Sequence, residues 1–89
     1  MSEIIFKKAE FYYVLNNEEI IFLRAVGENI RQLRKELNLS QELLSFDAEI
    51  PRNQIGRIER GEINTSLVTL LKIATALKVT IADLLKISS

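Results

Sequence analysis

One proline interrupts an otherwise helical stretch in the middle of the chain, and this break constrains the fold more than any other feature. Pro51 is the one proline among 89 residues. Proline cannot continue a helix and disfavours helical geometry in the residue before it, but it suits a first helical turn. The pattern therefore predicts a helix over residues 41–48, capped by Ser40, and a second over residues 51–60 that ends at Gly61.

Apolar residues recurring every three or four positions predict a long helix before this pair. It would run over residues 18–37, with Gly27 marking either a bend or the start of the globular core. Asn38 is suited to the left-handed conformation that ends a helix. The apolar stripe of this helix would be formed by Ile20, Leu23, Val26, Ile30, Leu33 and Leu37. Inward-facing positions in the two central helices are predicted to be Leu43, Leu44, Ile55 and Ile58.

Two more helices are predicted after Gly61. The fourth helix would be capped by Thr65 or Ser66, and the fifth by Thr80, with Asp83 completing a capping box. Core residues of the fourth helix are predicted to be Leu67, Leu70, Leu71, Ala74 and Leu77. Two roles remain open for the apolar residues at the C-terminal end, which are to pack in the core or to contact a second subunit. These residues are Leu84, Leu85 and Ile87.

The beginning of the chain differs from the helical remainder. Its bulky residues are Ile4, Ile5, Phe6, Phe11, Tyr12, Tyr13 and Val14. Aromatic and β-branched side chains favour a pleated, half-buried surface, so this segment is predicted to be a strand or a strand-like arm. It would either pack on its own domain or pair with the same strand of a second subunit across a two-fold axis. We therefore divide the chain into an N-terminal arm, residues 1–17, and a helical domain, residues 18–89.

Composition narrows the chemistry that the chain can perform. It has no cysteine and no histidine, which removes thiolate chemistry, the commonest general base and the commonest metal ligand. No glycine-rich phosphate loop stands out either, so no catalytic residue, metal site or cofactor is predicted, and the chain is not expected to be an enzyme. The N-terminus lacks a signal-peptide pattern and no apolar run approaches the length of a membrane span. A cytoplasmic protein without membrane contact is expected.

The charge balance bears on nucleic-acid binding. The 12 basic and 12 acidic side chains give a net charge of zero, whereas DNA-binding domains are usually basic. This balance argues against a strongly electrostatic binder but is compatible with a local basic face. It predicts weak non-specific affinity and a dependence on dimerisation.

Two short helices joined by a few residues, the second ending on glycine, form the helix-turn-helix layout. In that layout the first helix crosses the DNA backbone and the second lies in the major groove. Residues 27–85, and above all the stretches IRQLRKELNLSQ, RIERG and LVTLLKIATALKV, resemble the phage repressor and Cro-like helix-turn-helix family of small bacterial transcriptional regulators. The resemblance implies an all-α fold of five helices, double-stranded DNA as the partner and a homodimer.

The second helix of the pair begins with side chains that are able to pair with purine edges in the major groove. The resemblance implies that the groove is faced by Arg52, Asn53, Gln54 and Arg57. It also implies phosphate contacts from Gln41, which would brace the second helix, and from Arg60. Arg34 and Glu59 occupy positions that form a partly buried structural ion pair in family members.

Several positions depart from the family pattern. Ser45 stands where family members usually have alanine, and Glu49 stands where they usually have glycine. A left-handed conformation at Glu49 would cost about 1 kcal/mol. Pro51 replaces a polar cap, which affects the base-facing register of the second helix. Gly56 is interpreted either as a tolerated glycine or as a point where the backbone closely approaches the first helix of the pair.

Two hypotheses of function follow. The first is a sequence-specific regulator that binds an inverted repeat as a homodimer, with half-sites about one helical turn apart. Restriction–modification controllers and antitoxins are built this way, and both remain open. The second is an antitoxin-like or cofactor-like interaction module that retains the fold without reading DNA, supported mainly by the zero net charge, with an unidentified protein partner. A salt titration separates them, because DNA binding weakens steeply with salt.

Overall fold

The computed structural model describes residues 3–7 and 12–86 and places two strands before five helices. The strands are β1 (Glu3–Lys7) and β2 (Tyr12–Asn16), and the helices are α1 (Asn17–Glu36), α2 (Gln41–Ala48), α3 (Arg52–Glu59), α4 (Leu67–Leu77) and α5 (Ile81–Leu84). The five-helix prediction is confirmed. No helix within these described ranges has the length and apolar character needed to span a membrane.

The predicted N-terminal strand is a pair of strands. β1 and β2 run antiparallel, with Glu3 opposite Asn16 and Lys7 opposite Tyr12. β2 leads directly into α1, because the strand ends at Asn16 and the helix begins at the next residue. Phe11, which belongs to the predicted arm, lies outside the described residues.

The long first helix is held at its start by a capping box and continues through its glycine. The Asn16 side chain accepts a hydrogen bond from the Glu19 backbone at 2.9 Å, and the Glu19 carboxylate accepts one from the Asn16 backbone at 3.0 Å. Gly27 does not interrupt the helix, which continues to Glu36. A Cβ on Gly27 would lie 2.6 Å from the Glu59 carbonyl oxygen, so this glycine lets α1 approach the backbone of α3. Asn38 is left-handed with φ 57°, as predicted.

The turn between α2 and α3 has the predicted form, with a shift of one residue at its end. The Ser40 side chain caps α2 by accepting from the Leu43 backbone at 3.0 Å. Glu49 is left-handed with φ 58°, so a glutamate adopts the conformation usually given to glycine. Pro51 is the N-cap of α3 and makes no side-chain capping bond. The backbone of Pro51 is extended, with ψ 139°, so Pro51 stands before the helix, which begins at Arg52.

The core lies where the helices meet, and its fully buried side chains come from every helix. They are Ile30, Leu44, Ile55, Ile73 and Leu84. The predictions for Ile55 and Ile58 are confirmed, since both are buried on the inner face of α3.

Four of the predicted core residues are exposed instead, namely Leu37, Leu43, Leu67 and Leu71. Successive residues in a helix point about 100° apart, so burial of Leu44 turns Leu43 outward, with 51% of its surface exposed. The inner face of α4 is formed by Leu70, Ile73, Ala74 and Leu77. Leu67 and Leu71 lie one turn apart on a second apolar face of α4, which the core does not cover.

The short last helix is tied to α1. Asn29 Nδ2 donates to the carbonyl oxygens of Asp83 at 2.7 Å and Leu84 at 2.8 Å. Thr80 and Asp83 form the predicted capping box, and hydrogen bonding from Thr80 lowers the pKa of the Asp83 carboxyl. Leu84 is core, Leu85 is partly exposed at 37%, and Ile87 lies outside the described residues.

Candidate nucleic-acid interface

The helix α3 has one buried face and one open face. Its buried side packs on the core through Ile55 and Ile58. On the other side Arg52 and Asn53 are exposed, Gln54 and Arg57 are half-buried, and Arg60 follows the helix as an exposed residue. We call α3 the reading helix, because its open face carries the side chains that the sequence singled out for base contact.

An open hollow of about 520 Å³ runs beside the reading helix, and we call it the reading hollow. Its lining residues are Gln41, Arg52, Asn53, Gly56, Arg57 and Arg60. The structure thus brings together the residues that the sequence assigned to DNA, except for Gln54, which does not line the hollow. Every lining residue except Gly56 carries an amide or guanidinium group, so the hollow presents hydrogen-bond donors suited to phosphate oxygens and to purine edges.

Gly56 lines the reading hollow between two flexible side chains. A Cβ at this position would lie 3.1 Å from Arg60 Nη1 and 3.4 Å from Gln41 Oε1. These atoms are the far ends of flexible side chains, and no backbone atom of α2 is among the nearest neighbours. Of the two interpretations of Gly56, the structure favours a tolerated glycine over a close backbone approach to α2, because a small side chain would displace only the ends of Gln41 and Arg60.

A buried polar network fixes α2 and α3 to α1. Arg34 Nε donates to Glu59 Oε2 at 2.6 Å, and Arg34 Nη2 donates to Glu59 Oε1 at 3.0 Å. Gln41 Nε2 donates to the same Oε1 at 2.9 Å, and Arg34 Nη1 donates to the Leu39 carbonyl at 2.7 Å. The Arg34 and Glu59 side chains are only 10% and 2% exposed. The network holds the amide of Gln41 at the edge of the reading hollow.

A second acid lies among the arginines of the reading hollow. The Glu62 carboxylate accepts hydrogen bonds from Arg60 Nε at 2.7 Å and Nη2 at 3.2 Å, and Arg57 Nε lies 4.0 Å from it. Hydrogen bonding between the two groups raises the pKa of Arg60 and lowers the pKa of Glu62. A phosphate binding Arg60 Nε or Nη2 would therefore have to displace the Glu62 carboxylate, whereas Arg60 Nη1 takes no part in these bonds.

Sequence reasoning missed Glu62, and it also missed Arg24 and Arg31, which lie beside Arg60 around a neighbouring opening. The only sequence signal for Glu62 was its place two residues after Arg60, in a segment where no helical spacing applies. Nothing local in the sequence connects Arg24 of α1 with Arg60, because the two residues meet only when α1 packs on α3. Within the described ranges, no group of three or more acidic residues is placed to hold a metal ion.

Comparison with known proteins places this architecture in a family. A helix-turn-helix family model matches residues 30–84, and the chain belongs to this family of transcriptional regulators, as the resemblance predicted. The control protein C.BamHI of Bacillus amyloliquefaciens is 42% identical over 71 residues, which are 79% of this chain and 83% of that protein.

Two solved structures share the fold. The restriction–modification controller protein C.AhdI from Aeromonas hydrophila is 44% identical with a TM-score of 0.69, over 70% of this chain and 94% of that one. SinR, a master regulator for biofilm formation solved in complex with DNA, is 32% identical with a TM-score of 0.66, over 68% of this chain and 98% of that one.

Proposed function

We propose that the protein is a sequence-specific regulator of transcription that binds double-stranded DNA through the reading helix and performs no catalysis. The observation that carries this proposal is the reading hollow, where exposed Arg52 and Asn53 lie beside Gln41 and Arg60 on one surface. Arginine pairs with guanine and asparagine with adenine in the major groove. Gln41 and Arg60 would hold the flanking phosphates and set the register of the helix.

The relatives support this proposal and favour one kind of regulator. C.BamHI is a control protein, C.AhdI is a controller of restriction–modification, and SinR has been solved with DNA. We therefore propose that this chain acts as a restriction–modification controller. An antitoxin role and a fold-retaining interaction module are the alternatives.

Selection of bound duplexes from a random pool at low salt tests the proposal directly. We expect an enriched inverted repeat with half-sites about one helical turn apart, and an affinity that falls steeply as salt is raised. A folded protein that binds no duplex at low salt would support the interaction module and contradict DNA reading. A selected site lying upstream of restriction and modification genes would distinguish the controller from the antitoxin.

We further propose that the protein acts as a homodimer. A single reading helix contacts only one half-site, and a chain of zero net charge gains little from non-specific attraction to DNA. Two copies related by a two-fold axis would double the contacts and match an inverted repeat. The apolar surface left exposed by the fold offers the interface.

That surface is an apolar groove of about 200 Å³ between α1, α4 and the end of α5. Among its lining residues, Leu67 is 74% exposed, Phe22 is 48% exposed and Leu85 is 37% exposed. Leu71 and Val68 extend the apolar surface along α4, since they are 53% and 62% exposed. A contiguous apolar surface of this kind marks a protein interface more often than a solvated face, and we assign it to a second copy of the chain.

Replacing Leu67 with glutamate is expected to convert the dimer to a monomer. A carboxylate buried in an apolar interface is strongly unfavourable, whereas an acid in the first turn of α4 does not disturb the helix itself. Sedimentation equilibrium measures the effect. The matched control is Phe46→Glu on α2, since Phe46 is 81% exposed and does not line the groove.

If the Leu67→Glu variant is still a dimer, we would assign the interface to the N-terminal strands instead. β1 and β2 pair with each other, which leaves one edge of each strand without a partner in the described part of the chain. Residues 1–17 would then be the dimerisation arm that the sequence suggested, and removing residues 1–15 would abolish the dimer.

A further inference from the structure

We propose that an opening between α1 and the end of α3 is a second binding point for the DNA backbone, in which Arg24 and Arg31 hold a phosphodiester outside the helix-turn-helix. The inference rests on the proposed function and deepens it, because it extends the DNA footprint onto the first helix. The ligand is a backbone phosphate, so the contact adds affinity without adding sequence preference.

The opening has a volume of about 550 Å³ and lies next to the reading hollow. Three arginines line it, Arg24 and Arg31 from α1 and Arg60 from the end of the reading helix. Gln41 and Arg60 line both the opening and the reading hollow. A duplex whose phosphates contact Gln41 and Arg60 therefore brings its backbone to the mouth of this opening.

Two glycines place α1 close enough for these arginines to converge. Gly27 has no Cβ to strike the carbonyl oxygens at the end of α3, where the Glu59 oxygen would lie 2.6 Å away. Gly61 is left-handed with φ 71°, and a Cβ there would lie 2.7 Å from the Cα of Arg24. The end of the reading helix thus lies directly on the backbone of Arg24, and a duplex contacting Arg60 is within reach of α1.

The charges around the opening leave cationic groups free for an anion. Glu59 is already engaged by Arg34 and Gln41. Arg31 is paired with Glu28 at 3.3 Å, but its side chain is 41% exposed, and exposed pairs of this kind are weak. Among the described residues Arg24 has no ion-pair partner and is exposed. Arginine is the side chain best matched to phosphate because of its planar set of donors.

Arg24 lies outside the segment that the helix-turn-helix family model matches. The family model matches residues 30–84, whereas α1 begins at Asn17 and carries Arg24 ahead of that segment. The N-terminal half of α1 therefore adds a cationic group beside the helix-turn-helix.

Arg24→Gln and Arg31→Gln test the inference when their affinities for the selected duplex and for a random duplex are measured over a range of salt concentrations. Each variant should weaken binding to the selected duplex and to the random duplex by the same factor. The slope of log K against log salt should become shallower by about 0.9 for each phosphate that the protein no longer neutralises. Arg24→Lys keeps the charge and should restore most of the slope. The control is Lys72→Gln on α4, which makes the same charge change away from the opening.

Slopes in both glutamine variants equal to that of the wild type would overturn the inference and leave the proposed function intact. Weaker binding confined to the selected duplex would also overturn it, because a phosphate contact carries no sequence information. A wild-type protein that binds neither duplex would refute the proposed function, and this inference with it. Thermal melting of each variant confirms that the comparison is between folded proteins.

Discussion

Glu59→Ala is expected to destabilise the fold by about 3–5 kcal/mol, because it leaves the Arg34 guanidinium buried without its counter-charge. Glu59 accepts two hydrogen bonds from Arg34 and one from Gln41, and its side chain is only 2% exposed. Small domains are stable by only about 5–15 kcal/mol, so the change would be a large fraction of the total. Urea unfolding followed by circular dichroism measures it as a fall in the midpoint.

The matched control is Glu28→Ala, which removes the exposed ion pair with Arg31. Exposed pairs contribute at most about 1 kcal/mol, so the unfolding midpoint should change little. The double variant Arg34→Met, Glu59→Leu removes both buried charges and should recover much of the stability that Glu59→Ala removes. Equal effects of Glu59→Ala and Glu28→Ala would contradict the structural role given to the buried pair.

Removing the exposed polar side chains at the start of the reading helix should abolish the preference for the selected site. In Arg52→Ala and Asn53→Ala we expect each lost base contact to weaken binding by about 1–3 kcal/mol. A homodimer loses two such contacts, so the loss doubles and Kd rises roughly 30-fold or more. Binding to a random duplex should change far less for Asn53→Ala, because its contact carries sequence information and no charge. Fluorescence anisotropy with the selected and the random duplex measures both quantities.

Arg60→Gln removes a proposed phosphate contact from the same hollow, for comparison with the two proposed base contacts. Arg60 is assigned to phosphate, so its removal should weaken binding to the two duplexes equally and reduce the salt slope. Neither Arg52→Ala nor Asn53→Ala should destabilise the fold, since both residues are exposed and alanine favours a helix. If Asn53→Ala and Arg60→Gln changed the two affinities in the same proportion, the reading helix would be acting as a phosphate contact only.

Much of the local architecture could be predicted because it depends on neighbours within about four positions. The Ser40 cap, the Thr80 capping box and the left-handed Asn38 all arise in this way. The resemblance supplied the left-handed position at Glu49, which no local propensity would have suggested for a glutamate. The start of α3 was placed one residue early, since proline serves both as a cap and as a first helical residue.

The candidate site was only partly predictable. The assignments on α2 and α3 came from side-chain chemistry and the resemblance, and the structure places Gln41, Arg52 and Arg60 around one hollow. Glu62 was not anticipated, because its contact with Arg60 depends on how the chain turns after Gly61. The sequence also did not predict that Arg24 lies near Arg60, since this depends on the packing of α1 against α3.

Local sequence sets most of the helix ends to within a residue, because capping, proline and left-handed residues act through bonds to their immediate neighbours. Which of two apolar faces is buried is set by the packing of the helices, as Leu70 is in the core while Leu67 on the same helix is exposed. The same packing brings together charges that are far apart in the chain, as for Arg34 and Glu59. Burial and ion pairing depend on these distant partners, which helical periodicity does not identify.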